Sequence, residues 1–361
     1  MEAVIERPLS TAPHAPPGSG GPALGKHVGG LDSIRFICAT WVVFGHFGVL
    51  GIEFRTLQPA WLGAIVRSVW FNLFVGPAAV IVFFLISGFC IHYPYRDGRP
   101  LPLKAYYSRR YVRILIPMAI AIALGLPLKL DLEHLNDSIL WSLLAEEIYY
   151  LLYPLVLVRL RRRFGWRPVI AVAYLLSFCV VFKDRHAGNY ASFGPGLNWL
   201  LGLPCWLLGC ELAETIPTKS PSAARLWSYR LGIWALSSVA SVLRFHSPLR
   251  FPVSLNLFAL GVFFWLGAEI AYAERHGAPR WLEACGKWSY SIYLMHLHGH
   301  ALYLLLGLTL ASWLDWSLAT LVTYLVCYTF YRLVEKPAHE LARRIARRIL
   351  VREPLAATAG E

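Results

Sequence analysis

The strongest constraint on this chain is a series of apolar runs, most of them close to the roughly 20 residues a helix needs to cross about 30 Å of hydrocarbon. They fall at 31–51, 69–92, 109–128, 138–158, 168–183, 197–214, 231–245, 253–272, 288–307 and 316–334. Of the 361 residues, 57% are hydrophobic and 15% charged, whereas soluble domains carry about 25% charged residues. The pattern predicts an all-α fold: a polytopic membrane helix bundle of about ten transmembrane helices. An ordinary soluble domain is excluded.

The formal net charge of +13 would point to nucleic acid in a soluble protein. Here the basic residues gather in alternate short loops, which is the orientation signal of membrane proteins. With both termini cytoplasmic, 27 of the 34 Lys and Arg residues lie inside and seven outside. Those seven are Arg55, Arg67, Lys129, Lys183, Arg185, Arg244 and Arg250. The partners implied are membrane lipids and small substrates, with no nucleic acid. The seven cysteines sit almost entirely within apolar runs and read as small packing residues.

Three regions follow. Residues 1–30 are rich in Pro, Gly and Ala and read as a disordered cytoplasmic tail with no cleavable leader. Residues 31–337 hold the membrane domain. Residues 338–361 form a basic amphipathic tail, with Leu341, Ile345, Ile349 and Leu350 between arginines, suited to an anionic inner membrane surface.

Polar groups inside the runs are the candidate chemistry, because a charge in hydrocarbon costs about 2.5–3.5 kcal/mol even on lenient scales. The first run, LDSIRFICATWVVFGHFGVLG, carries Asp32, Arg35 and His46. Eleven positions at about 100° each return nearly to the same angle, so Arg35 and His46 share a helix face about 16 Å apart. Arg35 then lies near the surface and His46 near mid-depth. Asp32, three residues earlier, is placed to hold the guanidinium.

Before the third run, Arg109, Arg110 and Arg113 stand where the chain enters the membrane. Forked guanidiniums suit phosphate, although the same residues also serve as plain positive-inside charge. Ser87 and Gly88 in FFLISGF allow close helix approach or hydrogen bonding. In the fourth run Ser142, Glu146, Tyr149 and Tyr153 fall on one face, and Glu147 points about 100° away. The ninth run begins with Trp288, Ser289, Tyr290 and Tyr293, which suit an interfacial belt. His296, His298 and His300 follow. Only His296 and His300 have metal-ligand spacing and no third ligand is evident, so no metal is expected and His296 is read as facing a polar interior. Glu335, Lys336 and Pro337 mark the last helix end, with Glu335 able to pair with Arg35, the Arg110 cluster or Lys336.

Taken in order, LDSIR with His46, FFLISGF, RRYVR, WSLLAEEIYY, SYSIYLMH and VEKP resemble the acyltransferase-3 family of integral membrane acyltransferases. The resemblance spans residues 31 to about 337. It implies ten core helices, an acyl-CoA donor that is most often acetyl-CoA, and O-acylation of a carbohydrate or lipid-linked glycan. No permanently bound cofactor is implied. By motif position Arg35 and His46 are the essential pair and Arg110 and Arg113 hold coenzyme A phosphates. Glu146 and Glu335 match the acidic positions, and the WSLxxExxxY pattern adds Ser142 and Tyr150 as supporting residues. Two departures stand out: Pro117 follows Arg113 by four residues where three is commoner, and Lys336 replaces a frequent arginine. His46 is then a general base or a nucleophile that carries the acyl group. The location expected is the bacterial inner membrane. A transporter without acyl chemistry is the competing class, since carriers also use intramembrane Arg, His and Glu.

Overall fold

A computed structural model describes residues 28–48, 59–130, 132, 139–183, 188–246, 249–308 and 310–352. Most of the expected N-terminal tail, Arg55, Arg185 and the last nine residues lie outside the described residues. The described chain is helical: α1 Leu31–Phe47, α2 Ala60–Phe71, α3 Gly76–His92, α4 Leu103–Gly125, α5 Trp141–Leu152, α6 Val158–Phe164 and α7 Trp166–Lys183. There follow α8 Asn198–Glu214, α9 Ala223–His246, α10 Phe251–His276, α11 Arg280–Gly286, α12 Ser289–Leu304, α13 Ser312–Phe330 and α14 Lys336–Arg352. No strand occurs among the described residues.

Among the described residues, five helical segments are long and apolar enough to cross a bilayer: Trp61–Tyr95, Leu103–Leu128, Trp166–Lys183, Phe251–His276 and Ser312–Val351. Large apolar side chains stay outside the bundle, among them Leu175, Phe264, Leu321 and Leu325. Water would penalise such a surface, and lipid does not.

The centre of the bundle is α3, whose side chains are nearly all buried against α1, α8 and α10. Its crossing with α8 is backbone on backbone. A Cβ on Gly88 would stand 1.9 Å from the Trp206 carbonyl oxygen, and one on Gly209 would stand 2.0 Å from that of Leu85. Lipid gives helices no hydrophobic reason to associate, so such close packing supplies the attraction.

Three helix boundaries differ from the sequence expectation, each for a local reason. The run 69–92 is broken at residues 72–75, ahead of Pro77 at the start of α3. The carbonyls freed there are satisfied from α9: Trp234 Nε1 donates to Leu73 (2.8 Å) and Ser238 Oγ donates to Asn72 (2.8 Å). The first helix ends at Phe47, so His46 stands in its last turn and not in its middle. The last helix does not stop at Glu335. A single π turn, Tyr331–Glu335, absorbs Pro337 and leads into α14. There Ala338, Ala342 and Ala346 form a buried stripe, and α14 packs on α4.

A polar knot missed from the sequence closes one end of the bundle. Buried His92 bonds to Tyr153 (2.8 Å) and Glu214 (2.6 Å), and Glu214 also receives Arg161 and Trp166. This ties α3, α6, α7 and α8 together with the Tyr153 turn. Substituting Gly209→Ala should drive a methyl into the α3 backbone and cost about 1–3 kcal/mol or more. The expected outcome is a lower melting temperature and less monodisperse protein in detergent, measured by fluorescence-detected size exclusion after heating.

Candidate active site

The first turn of α1 is fixed from outside. Glu283 Oε1 on α11 accepts from the Ser33 backbone (2.9 Å) and hydroxyl (2.6 Å). Gly286 lies so close that a Cβ would stand 2.0 Å from the Asp32 carbonyl oxygen. Asp32 Oδ1 in turn accepts from Arg35 Nη1 at 2.7 Å, while Arg35 Nη2 lies 3.3 Å from Cys90 Sγ. The guanidinium is therefore aimed, with an acid on one side and a soft sulfur on the other.

Arg35 opens onto a cavity of about 130 Å³, lined also by Ser87, Arg110, Arg113, Ser142, Glu146 and Tyr150. Tyr150 donates to Glu146, its hydroxyl meets Ser87 Oγ at 2.9 Å, and Trp206 Nε1 donates to the same Ser87 oxygen at 3.1 Å. Because the tyrosine proton is committed to Glu146, the Ser87 proton must point at the tyrosine oxygen. The chain from Trp206 to Glu146 thus has one polarity, and aligned hydrogen bonds of this kind reinforce one another. Arg110 lies 5.4 Å from the Tyr150 ring centre. Glu147 turns away, with both carboxylate oxygens buried and unbonded.

Opposite this cavity lies a second, of about 320 Å³, which holds His46. Its lining comes from the end of α1, the starts of α3, α5 and α10, and the end of α9, including Gly76, Trp141, Arg244 and Phe251. The two cavities share Val80 and Tyr293 in their walls. The Tyr293 hydroxyl donates to the Ile139 carbonyl (2.8 Å) and meets Ser142 Oγ (2.7 Å). Arg35 and His46 therefore do not line one pocket, as a common helix face implies. They line two cavities that adjoin at Val80 and Tyr293.

His296 backs His46 at a ring-centre distance of 5.1 Å. Its Nδ1 lies 2.8 Å from the Tyr293 carbonyl, which requires the proton on Nδ1. Nε2 is left as a buried lone pair without a partner. His300 instead stacks on Phe47 at 4.0 Å.

Glu335 is buried and accepts from the Ser291 backbone (3.0 Å) and hydroxyl (2.5 Å) of α12, with Arg113 as its cationic neighbour. Pairing with Arg35 or Lys336 is not what the geometry gives. Arg109 lies beside Arg110 and Arg113 but does not line the first cavity. Sequence reading assigned Ser289, Tyr290 and Tyr293 to an interfacial belt, whereas all three line the first cavity. The available signal was spacing: Tyr290 and Tyr293 are helical neighbours at i, i+3. Cys90 and Trp206 carried no sequence signal, since their partners come from remote helices.

The acyltransferase-3 family model, described as an acyltransferase domain, matches residues 28–332. Nodulation protein 10 of Rhizobium leguminosarum bv. viciae is 23% identical, over 90% of this chain and 97% of its own length. No solved structure gives a significant match. This helical chain, with its guanidinium-lined and histidine-lined chambers, belongs to the acyltransferase-3 family and is an acyltransferase.

Proposed function

We propose that the protein transfers an acyl group, most often acetyl, from acyl-CoA to a hydroxyl of a carbohydrate, with the two chambers receiving donor and acceptor. The observation that carries this reading is the adjacency of two cavities: Tyr293 and Val80 line both a guanidinium-lined cavity and one holding an imidazole. Arg110 and Arg113 hold donor phosphates with Arg109 behind them, and Arg35 orients the donor arm in the first cavity so that its thioester end reaches towards His46.

In the reaction, His46 accepts the proton of the acceptor hydroxyl as its oxygen attacks the thioester carbonyl. The C–O bond forms, the C–S bond breaks, and the departing thiolate regains the proton from the imidazolium. General-base assistance of this kind contributes about 10²–10⁴-fold. His296, with its Nε2 lone pair unused, steadies the imidazolium electrostatically. The Ser87–Tyr150–Glu146 chain keeps the donor cavity polar without free water.

Ten crossings with cytoplasmic termini, in a bacterial inner membrane, put the arginine chamber on the cytoplasmic face, where acyl-CoA is made. The chamber holding His46 then meets a carbohydrate acceptor, such as an exopolysaccharide or O-antigen unit, from the other face. The competing carrier reading lacks support from the family match.

Membranes given radiolabelled acetyl-CoA should pass label into lipid-linked glycan, and His46→Ala should lose at least about 10²-fold of that rate while remaining folded. Near wild-type transfer by the purified variant would overturn the assignment. Arg113→Lys removes bidentate phosphate contact and should raise KM for acetyl-CoA about tenfold with kcat little changed. Tyr150→Phe should lower kcat about 10-fold or more, read in the same assay, because Glu146 loses its fixed donor.

A further inference from the structure

The C-terminal helix brings more positive charge to the donor mouth than two guanidiniums supply. Docked through its alanine stripe, α14 places His339 and Arg343 (i, i+4) beside α4. His339 is within electrostatic reach of Arg109, Arg110, Arg113 and Arg343, and Arg343 acts on Arg109. Among the described residues, no ion pair or side-chain hydrogen bond engages Arg109, Arg113 or Arg343. His339 Nε2 is buried and has no partner. Arg113 has Glu335 as an acidic neighbour, but among the described residues no ion pair engages Arg109 or Arg343. Neighbouring cations without a counterion repel one another, so their grouping is costly unless an anion fills it.

Only part of this cluster faces the first cavity. Arg110 and Arg113 line it, whereas Arg109, His339 and Arg343 do not. These groups thus form two adjacent sets, one within the cavity and one outside it, the outer set carrying the charge of Arg109 and Arg343 and the unpartnered ring nitrogen of His339. A coenzyme A nucleotide likewise presents two separate anions, a diphosphate and a ribose 3′-phosphate. Resting on the donor reading above, we propose that Arg109, His339 and Arg343 form a second phosphate site that receives the 3′-phosphate, with Arg110 and Arg113 taking the diphosphate. On this account α14 is part of the donor site and not only a surface anchor. An anionic lipid headgroup offers the same phosphate chemistry, and the experiment separates the two.

The full-length protein in nanodiscs of zwitterionic lipid is titrated calorimetrically with coenzyme A and with 3′-dephospho-coenzyme A. The wild type should prefer coenzyme A by about tenfold or more. Arg343→Gln and His339→Gln should each shrink that preference towards unity without changing binding of the dephospho form, and Arg343→Lys should restore part of it. Arg343 is exposed, so its replacement does not threaten the core. An unchanged preference in both Gln variants overturns the proposal. So does a preference that vanishes in the wild type when phosphatidylglycerol replaces the zwitterionic lipid, which assigns the site to headgroups. Failure of the wild type to bind either nucleotide would instead refute the donor reading itself.

Discussion

A guanidinium within a helix bundle has to be neutralised and aimed by the protein, and Arg35 is held from two helices. Asp32 pairs with it from the preceding turn and Cys90 meets it from α3. That arrangement depends on the start of α1 staying in place, which Glu283 and Gly286 of α11 enforce through Ser33 and the Asp32 carbonyl. It depends equally on α3, which delivers Cys90 and Ser87 to the same cavity. The position of α3 is set by the Gly88–Gly209 crossing with α8. One half-buried cation thus links the short helix α11, the central crossing and the first cavity.

The same logic of internal satisfaction shapes the rest of the bundle. Breaks and bulges occur where another helix or a widened turn meets the freed backbone groups, as α9 does for the break before α3. Buried carboxylates are similarly occupied, with Glu269 taking both forks of Arg230 and Glu335 taking Ser291, and the more exposed Glu214 takes His92 and Arg161. Glu147 is the contrast, buried with neither oxygen bonded. Where the two cavities adjoin, Tyr293 is anchored at its hydroxyl by Ile139 and Ser142, which fixes the ring at their junction.

Much of this was legible in the chain. Apolar runs located nearly every helix, because the length of a span is dictated by the bilayer. Arg35, Arg110, Arg113, Ser142 and Glu146 were singled out as polar groups in or at the edge of apolar runs and Tyr150 by the motif, and the structure brings them to one cavity. Tyr149 and Tyr153, which spacing put on the Glu146 face, bond instead to the Trp199 carbonyl and to His92. Less legible was the division of the site. Angular position along α1 puts Arg35 and His46 on one face, but whether a face meets one cavity or two depends on what α3 and α12 insert beside it. Tyr293 and Val80 do so, and only tertiary packing reveals it. Helix ends were misread for a related reason: a Pro signals a stop locally, while a π turn lets the helix at Pro337 continue. The pairing of His92 with Glu214, 122 positions apart, had no local signature.

The central claim is that donor and acceptor enter different cavities and meet where the two adjoin, beside Tyr293. Sealed membrane vesicles of known orientation test it most directly, with radiolabelled acetyl-CoA supplied only outside. The account predicts label in the glycan acceptor when the cytoplasmic face is outward, and little when the vesicles are right side out. Equal labelling in both orientations, or labelling only from the opposite face, would contradict it.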